Sequence, residues 1–506
     1  MVVVSSSPHF LKTILFGIPS PVSFFWTAVT FLINILCIFV VWDIIWHGPI
    51  LYKEHDLSFA RVGFVSYDGA KILIRETHIN QYPVSISYRH AGPPLTVGMD
   101  SAWKHVTMIG AEDFTNRTDY TAHVEITHLR PDTRYQYAIS NNHSGYFTTA
   151  PLPGHFPKWR DGTFTFLFTS CMIPRFPYDP RDHVLRFRGL EHLSNWIPAL
   201  NPSFMLFLGD FIYVDVPKRL GTDVETYRSE YRRVYASPSW PGATAELPWI
   251  HVIDDHEIAN DWDRNTTGLY AAAVDPWTHY QVSVNPKPVK VGHTYFSFTQ
   301  GPTSFFMLDT RRYRSPESKN ATDPSKTMIG AQQLIDLLHW IKSKPPHGVR
   351  FKVVASSVPL TKNWHFAATD TWSTYLHERR IILEAMHEAI ARHGVQFVFI
   401  SGDRHEFAAT KLNDPNRERG ADVWEFSVSP LNMFYVPTRT YSQQDDEDEV
   451  IKYVPDGQIK WGAIEISTSK TYPAESYLHF RLFIHGRESW NITLSSLTGK
   501  VIVPVA

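Results

Sequence analysis

Six short apolar runs between residues 163 and 405 each break off into polar side chains, most of them able to bind a metal. The run 164–168 ends at Ser170 and Cys171, 204–208 at Gly209, Asp210 and Tyr213, and 249–253 at Asp254, Asp255, His256 and Glu257. Farther on, 304–308 ends at Asp309 and Arg311, 351–355 at Ser356 and Ser357, and 397–400 at Ser401, Gly402, Asp403 and His405. Runs that are apolar at every position predict strands buried on both faces. Helix-like segments fill several gaps, at 182–196, 224–235, 331–343 and 377–393. In the last of these, Ile381, Ile382, Leu383, Met386, Ile390 and Ala391 recur near helical spacing. Strands alternating with helices restrict the chain to an α/β fold, with sheets covered by helices.

Open α/β sheets place their sites at the carboxyl ends of the strands. Several strand ends carrying Cys, Asp, Tyr and His therefore predict one site assembled from separate loops. The densest contribution is 249–262, where Asn260 and Asp261 follow the four ionisable residues 254–257. The competing expectation is that each polar residue caps a following helix or satisfies a turn. That accounts for Asp210 and Asp254, but poorly for Cys171, Tyr213 and His405. Carboxylate and Asn oxygens suit hard ions such as Ca²⁺, Mg²⁺ or Mn²⁺, whereas a thiolate with a tyrosinate would stabilise a higher-charge ion, Fe³⁺ foremost. Asp210 follows a glycine that permits a tight turn, and a carboxylate there can bridge two ions. Two-metal sites stabilise both the attacking and the leaving oxygen of phosphoryl transfer. His256 could protonate the leaving oxygen or hold a phosphate oxygen, so Asp210 and His256 are the expected catalytic residues.

Residues 13–42 contain no charge, and 22–42 match the roughly 20 apolar residues that cross a bilayer. Trp26, Trp42 and Trp46 stand near the ends of this run, where interfacial aromatics belong. No small-residue cleavage site follows Val41, so the expectation is an uncleaved signal-anchor with a cytosolic segment at 1–21. Five sequons, at Asn116, Asn142, Asn265, Asn320 and Asn491, would carry glycans if the body lies in the secretory lumen or outside the cell. Cys37 and Cys171 are the two cysteines, and Cys37 falls inside the apolar span, so no disulfide is expected between them. A net charge of −2 gives no electrostatic ground for nucleic-acid binding. No obligate protein partner is evident.

Residues 57–152 read differently. Short alternating runs at 61–65, 70–74, 84–88, 104–108, 120–124 and 133–139 predict a β-sandwich. The sequence Leu129-Arg-Pro-Asp-Thr-Arg-Tyr135-Gln-Tyr137, with Phe147-Thr-Thr149 after it, resembles the end of a fibronectin type III-like domain. In that resemblance Tyr135 makes the corner hydrogen bond. The Pro/Gly-rich stretch 151–157 is the expected boundary before a second domain over 160–506.

Gly209-Asp210-x-x-Tyr213, Asp254-Asp255-His256-Glu257 and Gly402-Asp403-x-His405 resemble the ordered blocks of metallophosphoesterases. Ser170-Cys171 replaces the usual first block, and Asp255 and Asp403 replace an Asn and a His. This combination resembles the alkaline phosphatase D (PhoD-like) family, as do 309–314 and 372–379. The resemblance implies a four-layer α/β/β/α sandwich and a centre holding Fe³⁺ with Ca²⁺ or another divalent ion beside it. Carried over by motif, Cys171, Asp210, Tyr213 and Asp403 would hold the iron. Asp210 would bridge to a second ion held by Asp255 or Asp254, Asn260 and His405. Glu257 would orient the loop.

The implied activity is hydrolysis of phosphate mono- or diesters by a metal-activated water at a di- or trinuclear centre. Arg311 and Arg314 are candidate substrate-phosphate contacts, against the alternative that the arginines of this segment brace the strand end by pairing with Asp309. Two other functions compete: a non-catalytic membrane-anchored binding protein with a decayed site, and a phospholipid or nucleotide phosphodiesterase. The retained Cys171, Asp210, Tyr213, Asp255, His256, Asn260, Asp403 and His405 argue against decay.

Overall fold

The computed structural model describes residues 15–21, 23–91, 102–158, 162–244, 246–316, 320–365, 368–416, 422–470, 472 and 474–502. Residues 1–14 of the expected cytosolic segment, and Val22 at the edge of the expected span, lie outside them. Ser23 caps helix α1 (Phe24–Trp42), its hydroxyl accepting from the Trp26 N–H. The helix runs past Trp42 through a π turn (Asp43–His47) to a last turn (Gly48–Leu51). Phe24, Phe25, Phe31, Leu32, Leu36, Ile38 and Phe39 are exposed on α1, so this one helix is long and apolar enough to cross a membrane.

The alternating runs form two small antiparallel sheets. Strands β1 (Phe59–Val65), β2 (Ala70–Arg75), β3 (Val84–His90), β4 (Lys104–Ile109), β5 (Thr121–Ile126), β6 (Arg134–Ile139) and β7 (Ser144–Thr148) pair in the orders β1-β2-β5 and β4-β3-β6-β7. Inward residues of both sheets, among them Val62, Ile72, Ile74, Ile86, Val124, Tyr135 and Phe147, share one core. The Tyr135 hydroxyl accepts from the Arg130 N–H at 3.0 Å, which pins the turn between β5 and β6. Asp119, 3 % exposed, ties this unit to the rest of the chain. Its carboxylate lies 3.0 Å from Arg75 Nη2 and 2.8 Å from Arg232 Nη1, and accepts from the Tyr280 hydroxyl at 2.6 Å.

Two larger sheets follow. The first joins β8 (Thr163–Thr169), β9 (Met205–Phe207) and β10 (Trp249–His251) in parallel. The second includes β11 (Phe296–Gln300), β12 (Thr303–Met307), β13 (Phe351–Ala355), β14 (Gln396–Ser401), β15 (Phe407–Leu412), β16 (Val423–Val428) and β17 (Asp448–Val454), ordered β11-β12-β13-β14-β16-β15-β17. Strands β18 (Lys460–Thr468), β19 (Ser476–Ile484) and β20 (Arg487–Ser495) complete the first sheet as an antiparallel meander on β8. Phe164, Phe166 and Phe168 of β8 interdigitate with Phe305, Val353, Ile400 and Phe426 of the other sheet. Each such phenyl ring taken from water contributes roughly 2–3 kcal/mol.

The outer faces are covered by helices. Helices α2 (Arg188–Leu200), α3 (Val224–Tyr235) and α4 (Tyr270–Tyr280) share a core with β8, β9 and β10. Helices α5 (Gly330–Lys342) and α6 (Leu376–His393) share one with β12, β13 and β14. Strands β8, β9, β10, β12 and β14 all send their carboxyl ends to one edge.

Several boundaries move. The helix expected at 182–196 begins at Arg188, because Asp182 accepts from both Arg186 and Arg188 and closes a turn there. Strand β10 ends at His251, two residues before the apolar run does. Val252 and Ile253 stay buried but leave the strand to deliver Asp254.

Candidate metal centre

Strand ends meet here because the backbone turns sharply at each of them. Cys171, Asp210, Asp403 and His405 all have left-handed backbone, with φ of 59°, 57°, 70° and 58°. The preceding glycines allow the loops to touch. A Cβ on Gly209 would lie 2.3 Å from the Asp254 Cβ, and one on Gly402 would lie 2.3 Å from Ser170 Oγ. Glu257 pins two loops at once: its carboxylate accepts the N–H groups of Asp210 (3.0 Å), Phe211 (2.5 Å) and Asp254 (2.7 Å). Ser170 Oγ accepts the Asp403 N–H at 3.0 Å, and Ser429 Oγ the His405 N–H at 2.7 Å.

The side chains so positioned converge on Asp210. Cys171 Sγ lies 3.2 Å from Asp210 Oδ2, and the Tyr213 hydroxyl donates to the same oxygen at 2.8 Å. His405 Nε2 is 3.3 Å from the Tyr213 hydroxyl. Ligand atoms of Cys171, Asp210 and His405 lie within 4.8 Å of one another, as do those of Asp210, Asp254, Asp255 and Asp403. Asp210 belongs to both groups, the position a bridging carboxylate would hold. A third group is Asp210, Asp255 and His256, and a fourth is Asp255, Asp261 and Asp370.

The donor set fits cations on two grounds. Buried oxygens of Asp254 (Oδ2), Asp255 (Oδ1) and Asp403 (Oδ2) have no hydrogen-bond partner, which is costly for carboxylates unless an ion supplies it. Burial, with the charge of Asp255, holds the Asp210 carboxyl well above its ordinary range. Burial also raises Asp254, to about 6, and Asp403. The Cys171 thiol and the Tyr213 phenol are raised by burial and by Asp210. Such groups ionise together only beside compensating positive charge.

His256 stacks on Tyr213 with ring centroids 4.2 Å apart. Its Nδ1 is 2.7 Å from Asp215 Oδ1, and its backbone N–H donates to Asp210 Oδ1 at 3.3 Å. Burial alone would lower the imidazolium pKa, but Asp255, Asp210 and Asp215 outweigh it and hold the proton well above the usual range. A protonated imidazole beside a carboxylate cluster can donate to a phosphate or leaving-group oxygen.

Not every expected residue joins the cluster. Arg311 and Arg314 are fully buried, and their guanidiniums face carboxylates of the chain. Arg311 reaches Asp254 Oδ1 at 2.5 Å and Asp370 at 2.6 and 2.8 Å, and Arg314 also pairs with Asp370. The partner of these guanidiniums is thus not Asp309, whose Oδ1 accepts the backbone N–H groups of Arg311 and Arg312. Asn260 is exposed at the rim, its backbone N–H on Asp215 Oδ2 at 2.6 Å. Arg311 hydrogen-bonds Asp254, whereas Asp255 Oδ1 stays 3.6 Å from Arg311 Nη2 and its Oδ2 accepts the backbone N–H of Asp261 at 2.6 Å. Arg404 lies over the Trp364 ring at 5.4 Å. Of the sequon asparagines, Asn116, Asn142, Asn320 and Asn491 are exposed and Asn265 is half-buried.

Sequence reasoning missed Asp215, Asp370 and Lys460. Asp215 carried a signal, since it stands two residues past Tyr213 and follows the Gly209 block directly. Lys460 is fully buried, donates to the His405 carbonyl at 3.0 Å, and is lowered by burial to about 7.

The family model for PhoD-like phosphatases matches residues 166–472. Alkaline phosphatase D of Bacillus subtilis (strain 168) is 22 % identical over 365 residues, which is 63 % of this chain and 58 % of that protein. The chain therefore spans less than two thirds of that relative's length. Among solved structures, PhoD matches with a TM-score of 0.64 at 16 % identity, covering 89 % of this chain and 91 % of the other. A purple acid phosphatase from yellow lupin (Lupinus luteus) seeds matches at 0.56 and 10 % identity, covering 86 % and 74 %. At these identities the structural likenesses speak for the fold.

Proposed function

The chain belongs to the PhoD-like phosphatase family, and on that premise we propose that it is a metal-dependent phosphoesterase. The observation that carries the reading is the group of Asp210, Asp254, Asp255 and Asp403 within 4.8 Å, with buried oxygens lacking partners. Cys171, Asp210, Tyr213 and Asp403 would hold one ion, Fe³⁺ by the resemblance. By the same resemblance Asp210, Asp255 and His405 would hold a second, Ca²⁺ or another divalent ion, with Asn260 at the rim and Asp254 braced by Arg311, although the ligand atoms within 4.8 Å of one another group His405 with Cys171 and Asp210, and Asp403 with Asp210, Asp254 and Asp255. Bound metal supplies Lewis acidity and lowers the pKa of water at the site.

The chain's own residues then divide the work. Asp210 offers one oxygen toward Cys171 and Tyr213, and the other to the His256 backbone N–H. His256, held by Asp215, presents Nε2 as the proton donor to the leaving oxygen of a phosphate mono- or diester. Glu257 keeps the Asp210 and Asp254 loops in fixed relation. In this reading residues 57–152 are a fibronectin type III-like brace, 160–506 the phosphatase domain, and 22–42 a signal-anchor that leaves the body in the secretory lumen or outside the cell. The five sequons would be glycosylated there.

The test is to purify the full chain in detergent, measure its metals, and assay aryl phosphate mono- and diesters beside Asp210→Asn. Activity on at least one ester type, lost in the variant, is the expected result. A metal-replete protein inactive on both ester types overturns it, and active protein without iron removes the Cys171/Tyr213 assignment.

A further inference from the structure

The apolar helix ends against the metal loops. Asp43, one residue past Trp42, lies 2.6 Å from Arg175 Nη2, and its carboxylate accepts from the Tyr178 hydroxyl at 2.8 Å. Lys218 Nζ sits 5.1 Å from the centroid of Trp46. Arg175 and Tyr178 belong to the loop after Cys171, and Lys218 to the loop after Tyr213. Asp43, Ile44 and Gly48 of the helix line one cleft together with Phe176 and Tyr213. Tyr213 therefore touches the cleft beside the helix end on one side and Asp210 on the other.

Depth follows from the geometry. One residue of helix rises about 1.5 Å, whereas each headgroup layer is roughly 5–7 Å deep. Side chains that bind Asp43 directly thus lie at headgroup depth if α1 spans the bilayer.

A second element reaches the same level. Met433 packs with Cys171, Ile173 and Tyr213. The Phe434 ring is 5.7 Å from that of Phe176 and 6.5 Å from that of His405. Beyond it Tyr435 and Val436 are 50 % and 41 % exposed, and Pro437 and Arg439 are exposed as well. The Tyr435 hydroxyl donates to Asp456 at 2.7 Å, which fixes the loop and leaves the apolar tip in view. Isolated exposed apolar residues are ordinary. Here they are consecutive, followed by the cation of Arg439, and joined through the Phe434–Phe176 ring contact to the cleft that Asp43 and Ile44 line at the end of a helix long and apolar enough to cross a membrane. Aromatic rings with basic neighbours are what a membrane interface accommodates.

We propose that residues 434–437 rest in the headgroup layer beside the anchor, so that the metal centre takes phosphate esters carried by lipids in the plane of the membrane. This rests on the phosphoesterase reading and on α1 being an anchor. The shared chemistry is a phosphate ester on a lipid, either a terminal monoester or a headgroup diester.

The test uses the full chain, metal-loaded, in phospholipid nanodiscs with Cys37→Ser, leaving Cys171 buried. An environment-sensitive nitrobenzoxadiazole label is attached through Val436→Cys or, as control, through Lys344→Cys. Lys344 is exposed and precedes β13, at the opposite end of the sheet from the metal loops. Spin-labelled lipid should quench the label at 436 and leave the one at 344 unaffected. In parallel, the pair Tyr435→Ser and Val436→Ser is compared with the parent on nanodisc-borne phosphatidic acid and phosphatidylcholine, and on soluble aryl mono- and diesters. Turnover of at least one lipid should fall about tenfold, the scale set by removing that much apolar area from an interface, with soluble turnover retained. The lipid that responds identifies the ester class. Equal quenching at both positions, or lipid and soluble rates that change together, overturns the proposal. Inactivity on every ester with position 436 still quenched overturns the phosphoesterase reading and supports the membrane contact by itself.

Discussion

Asp215→Asn isolates the residue that holds His256. Asp215 Oδ1 lies 2.7 Å from His256 Nδ1, and Oδ2 accepts the Asn260 N–H at 2.6 Å. Cations at Asp210 and Asp255 would cancel the pull of those carboxylates on the imidazole, leaving Asp215 as its fixed anion. Asparagine keeps the size and one acceptor but removes the charge. Hydrogen bonds to charged groups contribute roughly 1.5–3 kcal/mol, against roughly 0.5–1.5 for neutral ones. The difference is about 1–2 kcal/mol, and at about 1.4 kcal/mol per tenfold it becomes a 5- to 30-fold fall in kcat. KM should hold within about twofold, since the proton is needed in the transition state and not on binding. Asp215 also raises the His256 pKa, so its loss should move the alkaline limb of kcat to lower pH. The assay is steady-state hydrolysis of an aryl phosphate ester across pH, with metal content measured on the same samples. Added to His256→Ala, the substitution should cost nothing further. An unchanged kcat, or a loss that tracks lost metal, would refute the assignment.

Three further outcomes are expected. Asp119→Asn leaves the buried Arg75 and Arg232 without their shared carboxylate and should lower unfolding free energy by about 3–5 kcal/mol in a urea titration. Burial alone would raise the Asp119 carboxyl, but Arg75 and Arg232 outweigh it and hold it below 3.8. Its contribution is therefore complete above about pH 4 and is lost as pH falls through the folded value, so parent and variant should converge on acidification. Arg314→Gln removes a partner of the buried Asp370 and should destabilise by a similar 3–5 kcal/mol while leaving KM unchanged; a raised KM at full stability would restore it as a substrate contact. Because burial raises Asp210, Asp403 and Asp254, the last to about 6, metal added to chelated protein near neutral pH should release protons. Calorimetry in two buffers of different ionisation heat measures this, and identical heats would contradict it.

The strands that deliver ligands were legible because burial on both faces leaves a run apolar at every position, as at 204–208 and 397–400. The alternating runs of 57–152 were legible for the complementary reason, and β2, β3 and β6 stand within about two residues of their expected places. Convergence of Cys171, Asp210, Asp403 and His405 could be inferred from their shared position after strands. Pairings across the chain could not. Asp370 lies in a loop between β13 and α6, and nothing local marks it as the partner of Arg311, 59 residues earlier. Nor does any spacing reveal that Lys460 ends beneath His405. Where two acids are adjacent, as at Asp254 and Asp255, the motif gives both, and the arginine that claims Asp254 comes from another strand end.

The left-handed backbone at Cys171, Asp210, Asp403 and His405 sets heat resistance against chemistry at those positions. Each non-glycine residue held so costs about 1–2 kcal/mol that glycine would not. A library sorted for thermal survival alone should drift toward glycine at 171, 210, 403 and 405, and one sorted for turnover should purge it. Stabilising this chain for use is thus a search to be run away from these four positions.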